Sequence, residues 1–323
     1  MSDTDVFLNH GGELSFLMGA DPQDPASQTW NFGIGKPLVP VETRPAFYEV
    51  FPNLQGRWDG KTSINHHDAV RKVLGTDLKA WNQARGLCGG HAGARGLELL
   101  QCIMIASGNR AKYKPVSHAW LYYLARKKYG MLGGGDGVAG GSIPEIMSEG
   151  GILNADEAGD TEFDGPNVDA VGVRWGAGQL RGEEANRLAG LARDNIVTAK
   201  LRCRSAQELA DGIASMGVGI CSDARGFTLT RDREGFCQPQ GTWYHYHVRS
   251  GVFVSPSGRK GFAYDQSWGP GQPSGDLLPG YPSNCFGVSW DVMDASCRNG
   301  EVDVVLAVNL WDLEQGDLGA WFF

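Results

Sequence analysis

The stretch NQARGLCGGHAGARGLELL, residues 82–100, carries a cysteine at the point where a buried helix is expected to begin. Beyond Cys88, the segment 91–106 places Leu97 and Leu100 on one helical face and predicts a helix packed in the core. The positive dipole end of a helix favours thiolate over thiol, and the thiolate is the nucleophilic form. The position therefore indicates a nucleophilic cysteine, although a cysteine at a helix start is often only a core residue.

Two histidines lie close together in the aromatic stretch GTWYHYHV. On a strand, His245 and His247 would share one face. An imidazole beside a thiolate holds the ion pair and protonates the leaving amine. A third polar group should orient that imidazole. Gln266, in YDQSWGP, is expected on the adjacent strand, and Trp268 would shield the contact from water.

The composition is that of an ordinary globular protein, with 323 residues of which 41 % are hydrophobic and 20 % charged. A net charge of −8 without a long basic run argues against nucleic-acid binding. No stretch approaches the roughly 20 apolar residues of a membrane helix, and the first residues lack the pattern of a secretory signal peptide. The seven irregularly spaced cysteines favour a reducing compartment over a disulfide scaffold.

Predicted helices come first along the chain and predicted strands later, which is an α+β layout. Residues 1–75 combine Pro, Asn, Gly and Asp with scattered aromatics and predict an irregular but anchored arm. Helices are expected at 117–129, with Ser117 as N-cap, and at 142–149, with Ser142 as N-cap. Five strands are predicted, at 217–223, 243–254, 260–268, 285–290 and 302–310.

Several of these segments resemble motifs of the papain-like cysteine peptidases, particularly their divergent bacterial and phage-encoded members. NQARGLCGGHAGARGLELL resembles the family's nucleophile block, and GDGVAGGSIPEIMSEGGI resembles the Gly-Gly segment and helix that line its substrate groove. YHYHVRSG resembles H-A-M-x-x-x-G, and DQSWGP resembles N-S-W-G. The resemblance covers about residues 80 to 308.

The resemblance implies a two-lobed papain-like fold that follows the N-terminal arm. The peptidase domain would span residues 76–323, with a helical lobe at about 76–195 and an antiparallel, barrel-like β lobe at about 196–310. The implied activity is hydrolysis of peptide bonds in a peptide or protein substrate by a Cys–His thiolate mechanism. No cofactor and no metal are expected, and no membrane partner. The expected location is cytoplasmic or virion-associated.

The resemblance also assigns roles to individual residues. Cys88 is the implied nucleophile, His245 the base and acid, and Gln266 takes the asparagine position. Gln83 would match the glutamine that forms an oxyanion hole with the Cys88 backbone amide.

Substrate binding is assigned in the same way. Gly140 and Gly141 match the glycines that hold the substrate backbone as an added strand, and Trp268 lies beside the implied site.

Departures from the family pattern leave alternatives open. Gln83 lies five residues before Cys88, where the family has six, and glutamine replaces asparagine at 266. His247 is an alternative base, although Gly251 falls six residues after His245, as in the family motif.

A second registration of the nucleophile block puts His91 at the nucleophile position. The chain would then be an inactive relative, but Glu98, ten residues after Cys88, argues against it. A related alternative is a catalytically retired fold that serves as a structural or binding protein, such as a phage virion component. Residues 1–75 would then take part in assembly into a larger complex.

Three further hypotheses concern other kinds of site. Cys88, His91, His245 and His247 have ligand types suited to zinc, but ligand quartets usually come from closely spaced turns. A cell-wall amidase or peptidase would use the same Cys…His order on a smaller fold. Residues 1–75 stand where the family carries a propeptide, so they are a candidate autoinhibitory segment. The other histidines, His10, His66, His67 and His118, are interpreted as surface or packing residues.

Overall fold

The computed structural model describes residues 44–133, 136–162, 167–311 and 313, together with the backbone of three short strands nearer the amino terminus. Those strands are β1 (Phe7–Leu8), β2 (Leu14–Ser15) and β3 (Leu17–Met18). β1 pairs with β2, and β3 pairs antiparallel with β5 (Val138–Ala139) in the helical lobe.

The first lobe is built mainly from helices around a long buried one. The helices of the described chain are α1 (Phe47–Val50), α2 (His67–Leu74), α3 (Cys88–Ala106), α4 (His118–Lys128), α5 (Ser142–Glu149), α6 (Ala155–Ala158), α7 (Ala170–Gly176), α8 (Gly182–Ala192), α9 (Ala206–Ala214) and α10 (Trp290–Arg298), with a 3₁₀ turn at Pro52–Leu54. Nearly all of α3 is buried, as its apolar pattern predicts.

The second lobe contains a seven-stranded antiparallel sheet. Its strands are β4 (Ile64–Asn65), β6 (Ile196–Arg202), β7 (Val218–Phe227), β9 (Pro239–Val254), β10 (Lys260–Asp265), β12 (Cys285–Ser289) and β13 (Val302–Asn309). The order is β12-β10-β9-β7-β13-β6, and β4 pairs with β9. Two short strands, β8 (Thr230–Arg231) and β11 (Ser274–Gly275), pair parallel beside it. The five strands predicted from the sequence are confirmed, and the other two strands of this sheet, β4 and β6, were not predicted.

Of the two N-cap residues predicted from the sequence, one is confirmed and one is not. Ser117 caps α4 by accepting a hydrogen bond from the Trp120 amide, as predicted. The prediction for α5 is wrong by one residue, because its N-cap is Gly141 in the left-handed conformation. Ser142 is the first helical residue, and its hydroxyl donates to the Ala139 carbonyl.

Residues 44–65 of the predicted arm pack against the β lobe, and α2 packs on α3. The carboxylate of Asp211 on α9 accepts hydrogen bonds from the Tyr48 hydroxyl at 2.5 Å, the Gly56 amide at 2.8 Å and the Trp58 amide at 2.7 Å. Arg44 forms a buried ion pair with Asp303 on β13. These contacts fix the described part of the arm at several points along its length.

All seven cysteines are buried and reduced, which agrees with the interpretation of the thiols as small core groups. None of the helices within the described ranges has the length and hydropathy needed to cross a membrane.

Candidate active site

Cys88 is the first residue of α3 and lies where this helix meets strand β9. Its side chain is fully buried. Burial raises the pKa of the thiol to about 12, although the backbone amides of Tyr246 and Gly89 oppose this rise by hydrogen bonding to the sulfur. The sulfur thus lies beside the backbone of the residue that follows His245. The helix tip and the β-ribbon are in contact, but no hydrogen bond joins the sulfur to a ring nitrogen of His245 or His247.

The glycines after Cys88 pack against the protein itself. A Cβ atom on Gly89 would lie 2.5 Å from Val138 Cγ2, and one on Gly90 would lie 2.3 Å from the His118 carbonyl oxygen. At both positions a side chain would therefore collide with the protein itself. These glycines let α3 approach its neighbours closely.

His245 and His247 share one face of β9, as predicted, with ring centroids 4.6 Å apart. A bulge in the pairing of β9 with β7 lies directly before them, where Tyr244 has a φ of 49°. Such bulges re-aim the side chains that follow. The His245 ring stacks on the Trp268 indole, with ring centroids 4.6 Å apart.

Both histidines are held as neutral imidazoles. Burial lowers the pKa of His245 to about 3 and that of His247 well below its ordinary value. None of their ring nitrogens has a hydrogen-bond partner among the residues that the structure describes. A neutral thiol and a neutral imidazole are therefore the resting forms in this closed state.

Gln266 does not orient either histidine in this structure. Its amide nitrogen donates to the Gln272 carbonyl at 2.6 Å, and its carbonyl oxygen accepts from the Trp268 amide. The sequence-based expectation of a direct Gln266–imidazole contact is not met. The longer side chain bonds within its own loop instead.

Gln83 lies next to this loop. Its backbone amide donates to the Ser267 carbonyl at 2.8 Å, and its side-chain oxygen accepts from the Ser267 hydroxyl. Its Nε2 is buried and has no partner among the described residues. A buried amide donor without an acceptor is what an oxyanion hole offers to a reaction intermediate.

The Gly140–Gly141 segment is bonded across to the β lobe. The Gly141 amide donates to the Ser222 hydroxyl at 3.2 Å. The Tyr246 hydroxyl donates to the Ala139 carbonyl at 2.7 Å and accepts from the Ser142 amide at 3.1 Å. The edge predicted to bind a substrate backbone is thus closed by side chains of β7 and β9.

The overall arrangement is shared with several solved structures. Xylellain, a cysteine protease from Xylella fastidiosa, aligns over 96 % of this chain and 100 % of its own, with 13 % identity and a TM-score of 0.52. Procathepsin L2 from the larval midgut of Tenebrio molitor aligns over 92 % and 85 %, with 17 % identity and a TM-score of 0.53. Procathepsin B S9 from Trypanosoma congolense aligns over 75 % and 76 %, with 11 % identity and a TM-score of 0.50.

The chain has the papain-like fold. The predicted fold class, a helical lobe and an antiparallel β lobe, is confirmed. No family model matches the sequence, and no curated protein is significantly similar to it. At these identities the likeness concerns the papain-like fold, while the chemistry must be argued from the residues.

A buried network beside α3 was missed by sequence reasoning. His91 Nε2 lies 2.8 Å from Asp169 Oδ1, and His118, interpreted as a packing residue, lies between Asp160 at 3.1 Å and Asp169 at 3.5 Å. The other Asp169 oxygen accepts the backbone amides of Ala84 and Arg85. His91 and Asp169 are 78 residues apart, so no local pattern signals their contact.

The ionisable groups of this network have pKa values shifted in different directions. Burial lowers the pKa of His91 to about 4. Burial also acts to lower that of His118, but Asp160 and Asp169 outweigh it and raise the pKa of His118 above its ordinary value. Burial opposes ionisation of Asp169, yet the two histidines hold its pKa well below the usual range. The carboxylate therefore stays charged and holds the loop that carries Gln83.

The hypothesis of a zinc site from Cys88, His91, His245 and His247 is not supported by the geometry. Among the described residues, the groups of three potential ligands that converge are His91 with His118 and Asp169, and His67 with Asp265 and Cys285. The four predicted residues do not form such a group.

Proposed function

We propose that the protein is a cysteine peptidase in which Cys88 is the nucleophile and His245 the base. The observation that carries the proposal is the contact between the Cys88 sulfur and the backbone of Tyr246, the neighbour of His245. The buried, unpartnered Nε2 of Gln83 supports it. Both observations support a nucleophile and an oxyanion donor close to the elements that carry the proposed base.

The chemistry follows from these groups. His245 accepts the thiol proton, and the sulfur attacks the carbonyl carbon of the peptide bond. The Gln83 side chain and the Cys88 amide stabilise the oxyanion. The C–N bond then breaks as His245 returns the proton to the leaving amine. A water molecule, deprotonated by His245, hydrolyses the thioester and restores the thiol.

The closed site requires opening before it can act. A thiol with a pKa of about 12 and an imidazole with a pKa of about 3 do not form an ion pair. Because burial is the main cause of both shifts, entry of water or substrate brings the two values together. We infer that activity is latent in the state described.

The segment before Arg44 is the proposed closing element. Strand β3 pairs antiparallel with β5 through Leu17–Ala139 and Met18–Val138. β5 leads directly into Gly140, so β3 takes backbone positions that a substrate strand would use. This supports the hypothesis that the arm is autoinhibitory.

The test is hydrolysis of an unfolded protein under reducing conditions by the full chain and by a chain beginning at Arg44. We expect the shortened chain to be faster. Cys88→Ala should lower hydrolysis to background in both, whereas Cys102→Ala, which removes another buried thiol of α3, should leave it measurable. Equal hydrolysis by the Cys88→Ala and Cys102→Ala forms would contradict the proposal.

A non-catalytic binding or structural protein is the second candidate. It is favoured by the bonding of Gln266 away from the imidazole and by the Tyr246 bridge across the groove. Iodoacetamide labelling of the chain beginning at Arg44 discriminates between the two. Faster modification of Cys88 than of the other six thiols at near-neutral pH favours the peptidase, and uniformly slow labelling favours the binding protein.

A further inference from the structure

A second cluster of ionisable side chains lies away from the Cys88 site. His67 begins α2, Asp265 ends β10 and Cys285 begins β12, so three elements bring them together. His67 Nε2 lies 3.4 Å from Asp265 Oδ2 and 3.7 Å from the Cys285 sulfur. All three side chains are buried, with the His67 side chain 1 % exposed and that of Asp265 2 %.

The geometry is not that of a second catalytic triad. In a triad, the nucleophile and the carboxylate bind opposite ring nitrogens of the histidine. Here both face the same nitrogen, Nε2, of His67. The 3.4 Å contact also exceeds the usual range of a hydrogen bond between nitrogen and oxygen. One ring nitrogen facing both a carboxylate and a thiol is instead the arrangement of ligands around a common ion.

The separations suit a tetrahedral zinc site. With Zn–S near 2.3 Å and Zn–N and Zn–O near 2.0–2.1 Å, neighbouring ligand atoms are about 3.3–3.6 Å apart. The observed values, 3.4 Å and 3.7 Å, lie close to this range. Thiolate, imidazole and carboxylate are also the ligand types that borderline-soft ions such as Zn²⁺ prefer.

Buried polar atoms without a hydrogen-bond partner in the described chain lie around this cluster. Asp265 Oδ2 has no hydrogen-bond partner among the described residues, while its Oδ1 accepts from the Asn284 amide at 2.6 Å. Such an orienting contact on the far oxygen is typical of metal-bound carboxylates. The buried Ser250 hydroxyl lies against the Cys285 thiol and has no other partner in the described chain. Arg95 Nε, 3.5 Å from Oδ2, offsets part of the negative charge without a hydrogen bond.

The other convergent group, His91, His118 and Asp169, does not have the geometry of ligands around one ion. Its two imidazoles are stacked with centroids 4.1 Å apart and planes at 17°. The lone pairs of nearly parallel rings run side by side and do not converge on one ion. Its contacts fit hydrogen bonding to Asp169 instead.

We propose that His67, Asp265 and Cys285 form a binding site for a divalent transition-metal ion of the zinc type, with the Ser250 hydroxyl or water as fourth ligand. Binding releases the Cys285 proton to solvent, and the thiolate and carboxylate neutralise the ion. The ion would link α2 to strands β10 and β12. Asp265 directly precedes Gln266, so the link would also brace the loop beside the Cys88 site.

Cobalt binding by the full chain tests the site. The purified chain is stripped of metal and loaded with Co²⁺. Binding is measured by the absorbance of the thiolate-to-cobalt charge-transfer band and by the metal content. We expect about one equivalent per chain for the unmodified protein and for Cys102→Ser, and a charge-transfer band in both. Cys285→Ser should lose the band and most of the metal. Absence of the band in the unmodified folded chain, or an unchanged band in Cys285→Ser, overturns the proposal.

A thermal measurement keeps the test independent of how well the variant folds. With Zn²⁺ bound, the unmodified chain should melt at a higher temperature than after chelation, because the ion binds the folded state only. His67→Gln should show the same melting temperature with and without the chelator. A chelator that leaves the unmodified chain unchanged also overturns the proposal.

Discussion

Gly90 shows how much of this fold depends on single small residues. It lies in the first turn of α3, where the helix crosses the start of α4, and a Cβ atom there would sit 2.3 Å from the His118 carbonyl oxygen. Since that neighbour is backbone, it cannot move aside as a flexible side chain would. The close approach of α3 to α4 holds both Cys88 and the His91–His118 stack in place.

Gly90→Ala is therefore expected to lower the free energy of unfolding by about 1–3 kcal/mol through overpacking. Gly190→Ala on α8 is the matched control, because a Cβ there meets nothing within 4 Å. It should be stabilising by up to about 1 kcal/mol, since alanine favours helix. Urea unfolding of both variants measures the difference, and equal stability of the two would contradict the packing account.

At the scale of elements, Tyr246 fastens β9 to the segment between β5 and α5. Its hydroxyl satisfies the Ala139 carbonyl and the Ser142 amide at once. Removing it leaves the buried Ser142 amide without this acceptor, which is the costly case for a hydrogen bond, whereas the Ala139 carbonyl still accepts from the Ser142 hydroxyl.

Tyr246→Phe should lower the free energy of unfolding by about 1–3 kcal/mol and raise the rate of Cys88 alkylation. Tyr264→Phe is the control with the same chemical change, because the Tyr264 hydroxyl is buried without a partner in the described chain. That variant should be neutral in both measurements. Equal alkylation rates in the two variants would show that the Tyr246 bridge does not govern access to the sulfur.

Several sequence-based predictions about individual helices and strands are confirmed. The helix at Cys88, the cap at Ser117 and the shared face of His245 and His247 follow from local periodicity and capping chemistry. The Gln266 contacts and the Asp169 network depend on where loops meet in space. A glutamine is one methylene longer than asparagine, and only the structure shows that this length turns its amide toward Gln272.

At the scale of the whole molecule, the buried histidines couple folding to pH. His247 keeps a pKa well below its ordinary value because it is buried. The unfolded chain takes up this proton near pH 6.5, whereas the folded chain does not. Its contribution to stability is thus fully present above that pH and is lost as the pH falls toward the folded-state pKa.

His247→Gln removes this dependence, so the difference in unfolding free energy between the unmodified chain and the variant should change with pH. Below pH 6.5 we expect the unmodified chain to lose about 1.4 kcal/mol relative to the variant for each pH unit. Urea unfolding at pH 7, 6 and 5 gives the slope. A difference that stays constant across this range would mean that His247 takes up its proton in the folded chain as readily as in the unfolded chain, and would contradict the lowered pKa.

The ion pair between Arg44 and Asp303 sets an electrostatic limit on how far the chain can be shortened. Burial raises the pKa of Asp303 to about 6, and Arg44 is the cation that most strongly opposes this rise. Arg44 also donates to the Gly300 carbonyl at 2.9 Å. A fragment that begins after Arg44 would bury a carboxylate without its main counter-charge. Any natural or engineered trimming that preserves the fold should therefore stop at or before this arginine.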